Sequence, residues 1–170
     1  MVDRSTPDDL VFDTVNDDRY GSYNGVNFQV ANNSWQDTLE KDGWIFEPEW
    51  GDDSAGSLIV INSKYGDDAF ISLQDKNNDT VSKADIVDHG FTGYHVDFFM
   101  EGEGQLPNMT WNGVTFHATG DDIIAAYGEP VNTWEGDMYT SYTYNPLPNI
   151  DLIFYVYQDG GLLNIDFYVY

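Results

Sequence analysis

Asn24-Gly25-Val26-Asn27-Phe28 returns later in the chain as Asn112-Gly113-Val114-Thr115-Phe116. Each copy is followed by a short acidic segment with the pattern of a helix start, and then by a run of strand-like segments. A motif repeated with its downstream order intact indicates a duplicated unit. The sequence therefore predicts an α+β fold of two tandem units. We expect each unit to be a short helical segment packed on an antiparallel sheet of about three to four strands, and the two sheets to form a curved, largely continuous layer.

The predicted boundaries follow the changes in composition along the chain. Residues 1–19 are polar and acidic and read as an N-terminal arm. Residues 20–106 form the first repeat and residues 107–170 the second, because the Gly- and Glu-rich stretch 102–107 has the composition of a linker.

The charge of the chain restricts its partners. Among 170 residues, 30 are Asp or Glu and only 6 are Lys or Arg, which gives a formal net charge of −24. Such a surface repels nucleic acid and anionic lipid, since binding either one requires Lys and Arg. A basic protein partner or a cation fits the charge better. Hydrophobic residues make up 41% of the chain and aromatic residues 16%, which is enough for a core.

The absence of cysteine removes disulfides, thiolate metal sites and cysteine nucleophiles from consideration. No stretch is long and apolar enough for a membrane span, and no signal peptide opens the chain. The polar start is compatible with a lipid anchor or signal segment before residue 1.

The first predicted helix has a recognisable beginning and end. Ser34 is a favourable N-cap, and Asp37 occupies the capping-box position. Trp35 and Leu39 are spaced to share one face, and Gly43 is a plausible stop.

The second predicted helix is capped by Asp121 or Gly120 and ended by Gly128. Its apolar face consists of Ile123, Ile124 and Tyr127.

Strands are predicted after both helices. In the first unit, residues 57–62 and 68–73 flank a turn at 65–67. In the second unit, about three strands are expected, at 138–144, 151–157 and 162–170, with a turn at 159–161 joining the last two. Alternation places Leu152, Phe154 and Val156 on one face of the middle strand, and Leu163, Ile165, Phe167 and Val169 on one face of the last.

Tyrosine is concentrated on the opposite face of these strands. Tyr155, Tyr157, Tyr168 and Tyr170 form the candidate interaction surface, because tyrosine supplies contact area and a polar tip at low entropic cost. The alternative is that this face packs against the first unit as an inter-unit core.

The segment Asp122-Ile123-Ile124-Ala125-Ala126-Tyr127-Gly128-Glu129-Pro130 carries a family resemblance. It resembles the helix that runs into a Tyr-Gly-Glu-Pro stop in the tandem modules typified by beta-lactamase-inhibitor protein and the SmpA/OmlA envelope lipoproteins. The match covers residues 112–170 well, and the first unit only loosely. The overall layout also resembles extracellular lipoproteins of Gram-positive bacteria. The resemblance implies an extracellular or cell-surface bacterial binding protein without catalysis, and no contact residues carry over from it.

Other candidate chemistry has an ordinary structural explanation. His89, His95 and His117 lie in no catalytic or metal-binding motif and read as strand or loop histidines. Residues 75–79 have the oxygen ligands that open a calcium loop, but Thr80 and Ile86 stand where Gly and Glu are needed. An Asn/Asp turn explains them better, and weak adventitious calcium binding is the most that the charge suggests.

The sequence thus favours a non-catalytic binding protein, with no catalytic, cofactor or metal residues assigned and no cofactor. Its partner would be a protein or surface polymer that meets the aromatic sheet face. The alternatives are a carbohydrate-active hydrolase using paired Asp and Glu, or a structural component of the envelope.

Overall fold

The computed structural model describes residues 18–28, 34–46, 57–61, 70–74, 93–97, 106–147, 150–158 and 160–169. Within these ranges the fold is α+β and mostly sheet. A 3₁₀ turn at Asp18–Tyr20 precedes the first strand. The two helices are α1 (Ser34–Lys41) and α2 (Gly120–Tyr127). The strands are β1 (Ser22–Tyr23), β2 (Val26–Asn27), β3 (Ile45–Phe46), β4 (Ser57–Ile61), β5 (Phe70–Gln74), β6 (Gly93–Asp97), β7 (Met109–Thr110), β8 (Asn132–Glu135), β9 (Tyr139–Leu147), β10 (Ile150–Tyr157) and β11 (Leu162–Val169).

The described strands form two antiparallel sheets. The small sheet has the order β2-β1-β7, and the large one has eight strands in the order β3-β4-β5-β6-β11-β10-β9-β8. Each helix is followed in sequence by four strands that pair in order, β3 to β6 after α1 and β8 to β11 after α2. The two runs meet where β6 pairs with β11, with Asp166 opposite His95 and Asn164 opposite Asp97. We call this pair of strands the seam.

Both copies of the repeated motif are tight turns. Asn24 and Asn112 have φ of 49° and 51°, and the glycines that follow them have φ of 82° and 83°. Two consecutive left-handed residues define the type I′ turn, for which Asn-Gly is the preferred sequence. The first turn joins β1 to β2, and the second brings Trp111 and Val114 together as an isolated bridge.

The helices lie at the predicted positions, but α2 has a different cap. Thr119 is its N-cap, and its side chain accepts from the backbone N–H of Asp122 while the Asp122 carboxylate accepts from the Thr119 N–H. The prediction of Asp121 or Gly120 was therefore wrong by one or two residues, because Thr119 and Asp122 complete a reciprocal capping box. Gly128 ends the helix with φ of 84°, as predicted.

The core lies between the helices and one face of the large sheet, which we call the inner face. Trp35 of α1 contacts Tyr94 of β6 with ring centroids 4.9 Å apart, and Tyr127 of α2 contacts Phe154 of β10 at 5.2 Å. The small sheet packs on the same side, since Phe28 beside it lies 5.1 Å from Phe167 of β11. The predicted inner face of β10 is confirmed, with Leu152, Phe154 and Val156 all buried.

Two features of the second run of strands differ from the prediction. Four strands follow α2 rather than three, because β8 was not recognised. A bulge between Tyr155 and Val156 shifts the register, so that Tyr155 pairs with Asn164 and Val156 pairs with Leu162. The bulge leaves Leu163 as the extra residue, and Leu162 takes the buried position that was assigned to Leu163.

Several predictions lie outside the described residues: the N-terminal arm up to residue 17, the turn at 65–67, the calcium-like segment 75–79, His89 and Tyr170. No helix in the described ranges is long and apolar enough to cross a membrane.

Candidate functional site

The candidate site is the face of the large sheet that points away from the helices, which we call the outer face. Along β10 buried residues alternate with partly exposed ones, and the partly exposed set includes Tyr155 and Tyr157. Tyr168 on β11 is likewise partly exposed. These three members of the predicted interaction surface are therefore not enclosed in a core between the two runs of strands. Whether they bind a partner stays a prediction.

Carboxylates of the same face lie beside the tyrosines. The Tyr168 hydroxyl donates to Asp151 Oδ2 at 2.9 Å, and the Tyr155 hydroxyl lies near the Asp166 carboxylate. Partial burial, and then the nearby carboxylates, raise the pKa of both tyrosines to about 12. The hydrogen bond to Asp151 orients the Tyr168 ring on its strand.

Three aromatic rings extend this face to the edge of the sheet. Tyr155 contacts Tyr139 of β9, with ring centroids 5.6 Å apart in an edge-to-face arrangement. Tyr139 in turn contacts Trp134 of β8 at 5.4 Å. We call Trp134, Tyr139 and Tyr155 the aromatic row. It runs across three neighbouring strands and ends at Asp166 on the fourth.

A charged cluster lies next to the aromatic row, on the seam. His95 Nδ1 bonds to Asp166, and His95 Nε2 lies 3.8 Å from Asp97 Oδ2. Burial alone would lower the pKa of His95, but its hydrogen bond to Asp166 and the negative charges of Asp166 and Asp97 outweigh burial and raise the pKa to about 9. His95 is therefore a cation at neutral pH.

Two buried oxygens of the seam have no hydrogen-bond partner in the described part. Asp97 Oδ1 and Asn164 Oδ1 come from residues directly opposite each other on β6 and β11.

Sequence reasoning missed this cluster and treated His95 as an ordinary strand histidine. A partial signal was present, because His95 and Asp97 are two apart and must share one face of a strand. Asp166 is 71 positions away and could be placed only through the pairing of β6 with β11.

His117 lies elsewhere, exposed on the loop before α2. It lines a polar groove of about 510 Å³ together with Asn112, Thr115 and Asp122. Within the described ranges no group of three or more His, Asp or Glu side chains is arranged to hold a metal ion. This agrees with the geometry of His95, whose two ring nitrogens face different carboxylates.

Comparisons with known proteins give little further information. No protein-family model matches the chain, and no curated protein matches it. Among solved structures, the chain is similar to a DUF4309 family protein (YjgB) from Bacillus subtilis subsp. subtilis str. 168, with 11% identity and a TM-score of 0.43. That similarity covers 79% of this chain and 77% of the other, and at this TM-score it supports no conclusion about fold or function.

Proposed function

We propose that the protein is a non-catalytic binding protein, and that the outer face of its large sheet binds a basic protein partner. The observation that carries the proposal is the aromatic row beside the seam. Partly exposed Tyr and Trp rings are enriched at protein recognition surfaces. The net charge of −24 favours a partner of opposite sign.

The carboxylates of this face are used by its own side chains, which argues against the hydrolase alternative. Asp151 accepts from Tyr168, while Asp166 and Asp97 face His95. A glycosidase needs a carboxylic acid that keeps its proton near neutral pH and a second carboxylate free to act on the sugar. Asp151, Asp97 and Asp166 each face a neighbouring side chain of the protein, which works against the second requirement.

We further propose that the chain consists of two tandem units, residues 20–106 and 107–170. The support is the shared order: an Asn-Gly turn, a helix, and four strands paired in sequence, with the last strands of the two runs side by side at the seam. An extracellular or cell-surface location rests on the family resemblance described above and belongs to the same proposal.

The experiment that tests the proposed function is capture of partners from the native cell-surface fraction by the wild-type chain and by the Tyr155→Ala/Tyr168→Ala variant. The matched control is Thr115→Ala/His117→Ala, which changes two exposed residues beside α2, away from the outer face. We expect a basic protein that is captured by the wild type and the control and lost with the tyrosine variant. Equal capture by all three chains contradicts the proposal.

A further inference from the structure

β8 forms one edge of the large sheet and is unusually exposed. Among the described strands it pairs with β9 alone, and all four of its residues are exposed. Three of the large apolar side chains exposed in the described part belong to this edge or flank it: Val131 (64% exposed), Trp134 (53%) and Met138 (69%). Exposed apolar side chains beside an open strand edge mark a place where another chain can pair.

The backbone of β8 offers hydrogen-bonding groups to such a chain. The Gly136 N–H donates to the Tyr139 carbonyl at 2.9 Å and closes the hairpin between β8 and β9. In an antiparallel pair, residues alternate between those that bond to the neighbouring strand and those that point away from it. The register then turns the backbone groups of Asn132 and Trp134 toward β9, and those of Thr133 and Glu135 toward the open edge.

The side chains of the edge suit an aromatic contact with a cation. The Trp134 ring lies over Gly136, where an added Cβ would be 2.5 Å from the ring, and it also packs against Tyr139. Its remaining exposed surface is held in place beside the strand. A Lys or Arg on the same face of an added strand would meet this ring as a cation–π pair. On the other face, the same strand would bring a side chain close to Glu135.

The charge around the edge selects the partner. No Lys or Arg occurs after Lys83, and the exposed carboxylates of Glu129, Glu135 and Asp137 surround β8. A second copy of this chain would bring the same negative charge to the contact, which opposes self-pairing. A cationic segment would instead be attracted to the carboxylates around this edge.

We propose that β8 accepts an extended, Lys- or Arg-bearing segment of a partner protein as a ninth strand of the large sheet. This mode combines main-chain hydrogen bonds with side-chain selection. It rests on the proposed function, because it names how a basic partner attaches and continues the aromatic row onto that partner.

The test uses the full chain and a synthetic peptide that alternates Lys and Thr. Amide hydrogen exchange is followed by NMR with and without the peptide. We expect the N–H groups of Thr133 and Glu135 to exchange about tenfold more slowly in the complex, since each gains a hydrogen bond. The N–H groups of Asn132 and Trp134, already bonded to β9, should change much less.

Two variants of the experiment separate strand addition from simple charge attraction. A peptide of equal charge, N-methylated at the nitrogens that would face β8, should bind about tenfold more weakly. Thr133→Pro removes one outward N–H at an edge position, where proline is tolerated, and should weaken binding similarly, while Thr133→Ala should not. The N-methylated peptide tests the wild-type chain and does not depend on the folding of the proline variant.

Equal affinity for the two peptides overturns the inference. It is also overturned if the peptide slows amide exchange in other strands of the large sheet but not at Thr133 and Glu135. Pairing of the chain with itself through β8 also overturns it. In each case the capture experiment with Tyr155→Ala/Tyr168→Ala gives an independent result. A failure of strand addition at β8 can therefore be distinguished from a failure of partner binding at the outer face.

Discussion

Replacement of His95 by Gln should destabilise the protein at acidic and neutral pH and have little electrostatic effect at high pH. His95 lies at the seam, facing Asp97 on its own strand and Asp166 on β11. Gln keeps a hydrogen-bond donor but removes the positive charge. The two carboxylates are then left facing each other without a cation, which is unfavourable in a partly buried site.

The magnitude follows from the pKa of His95. Folding raises it from an ordinary value of 6.5 to about 9. Because one pKa unit corresponds to about 1.4 kcal/mol, the positive charge contributes at most about 3–4 kcal/mol to the free energy of unfolding. The side chain is 23% exposed, so screening by solvent lowers the expected value to about 2 kcal/mol.

The sign of the pH dependence is fixed by the direction of the shift. Because the folded-state pKa lies above the unfolded value, the contribution is fully present below pH 6.5, decreases as the pH rises, and is lost above about 9. Urea unfolding of the wild type and of His95→Gln should therefore show a large difference at about pH 6 and a small one at about pH 9.5. His117→Gln, at an exposed loop position, is the control.

Two results would refute this reasoning. One is a destabilisation by His95→Gln that is the same at both pH values, which would indicate lost packing rather than lost charge. The other is an NMR titration in which the His95 ring of the folded protein changes state near its ordinary pKa.

Three further substitutions test the packing and the caps by urea unfolding. Tyr94→Phe should cost about 1–3 kcal/mol, because it leaves the buried indole N–H of Trp111 without the hydroxyl that accepts from it at 2.8 Å; an unchanged midpoint would contradict the buried network. Gly93→Ala should cost about 3 kcal/mol, since its Cβ would lie 2.5 Å from the Phe167 carbonyl oxygen across the seam, and a cost near zero would contradict so close an approach of the two strands. Thr119→Ala should cost about 1 kcal/mol through loss of the α2 cap, with Thr119→Ser as the variant that retains it.

The sequence predicted those parts of the fold in which the local residue pattern and the burial of the side chains indicate the same structure. The helix stop at Gly128 follows from a backbone requirement, and the buried side of β10 follows from strict alternation. β8 was missed because its four residues are all exposed, so it carries no hydrophobic period to recognise. The Leu162 position was missed because a bulge breaks the alternation that the prediction assumed.

The candidate site was predicted only in part, because most of it depends on which strands pair rather than on local patterns. Tyrosines on one strand face are visible in the sequence, since alternation alone puts them together. The aromatic row and the seam cluster depend on which strands are neighbours. The pairing of β6 with β11 joins residues far apart in the chain, and no local pattern encodes it.

The most direct test of the outer face as a binding surface is hydroxyl-radical footprinting of the full chain, alone and in complex with the partner captured from the surface fraction. The account predicts that Trp134, Tyr155 and Tyr168 become protected in the complex, while His117 in the groove beside α2 keeps its reactivity. Protection of His117 with no change at the three aromatic residues would contradict it.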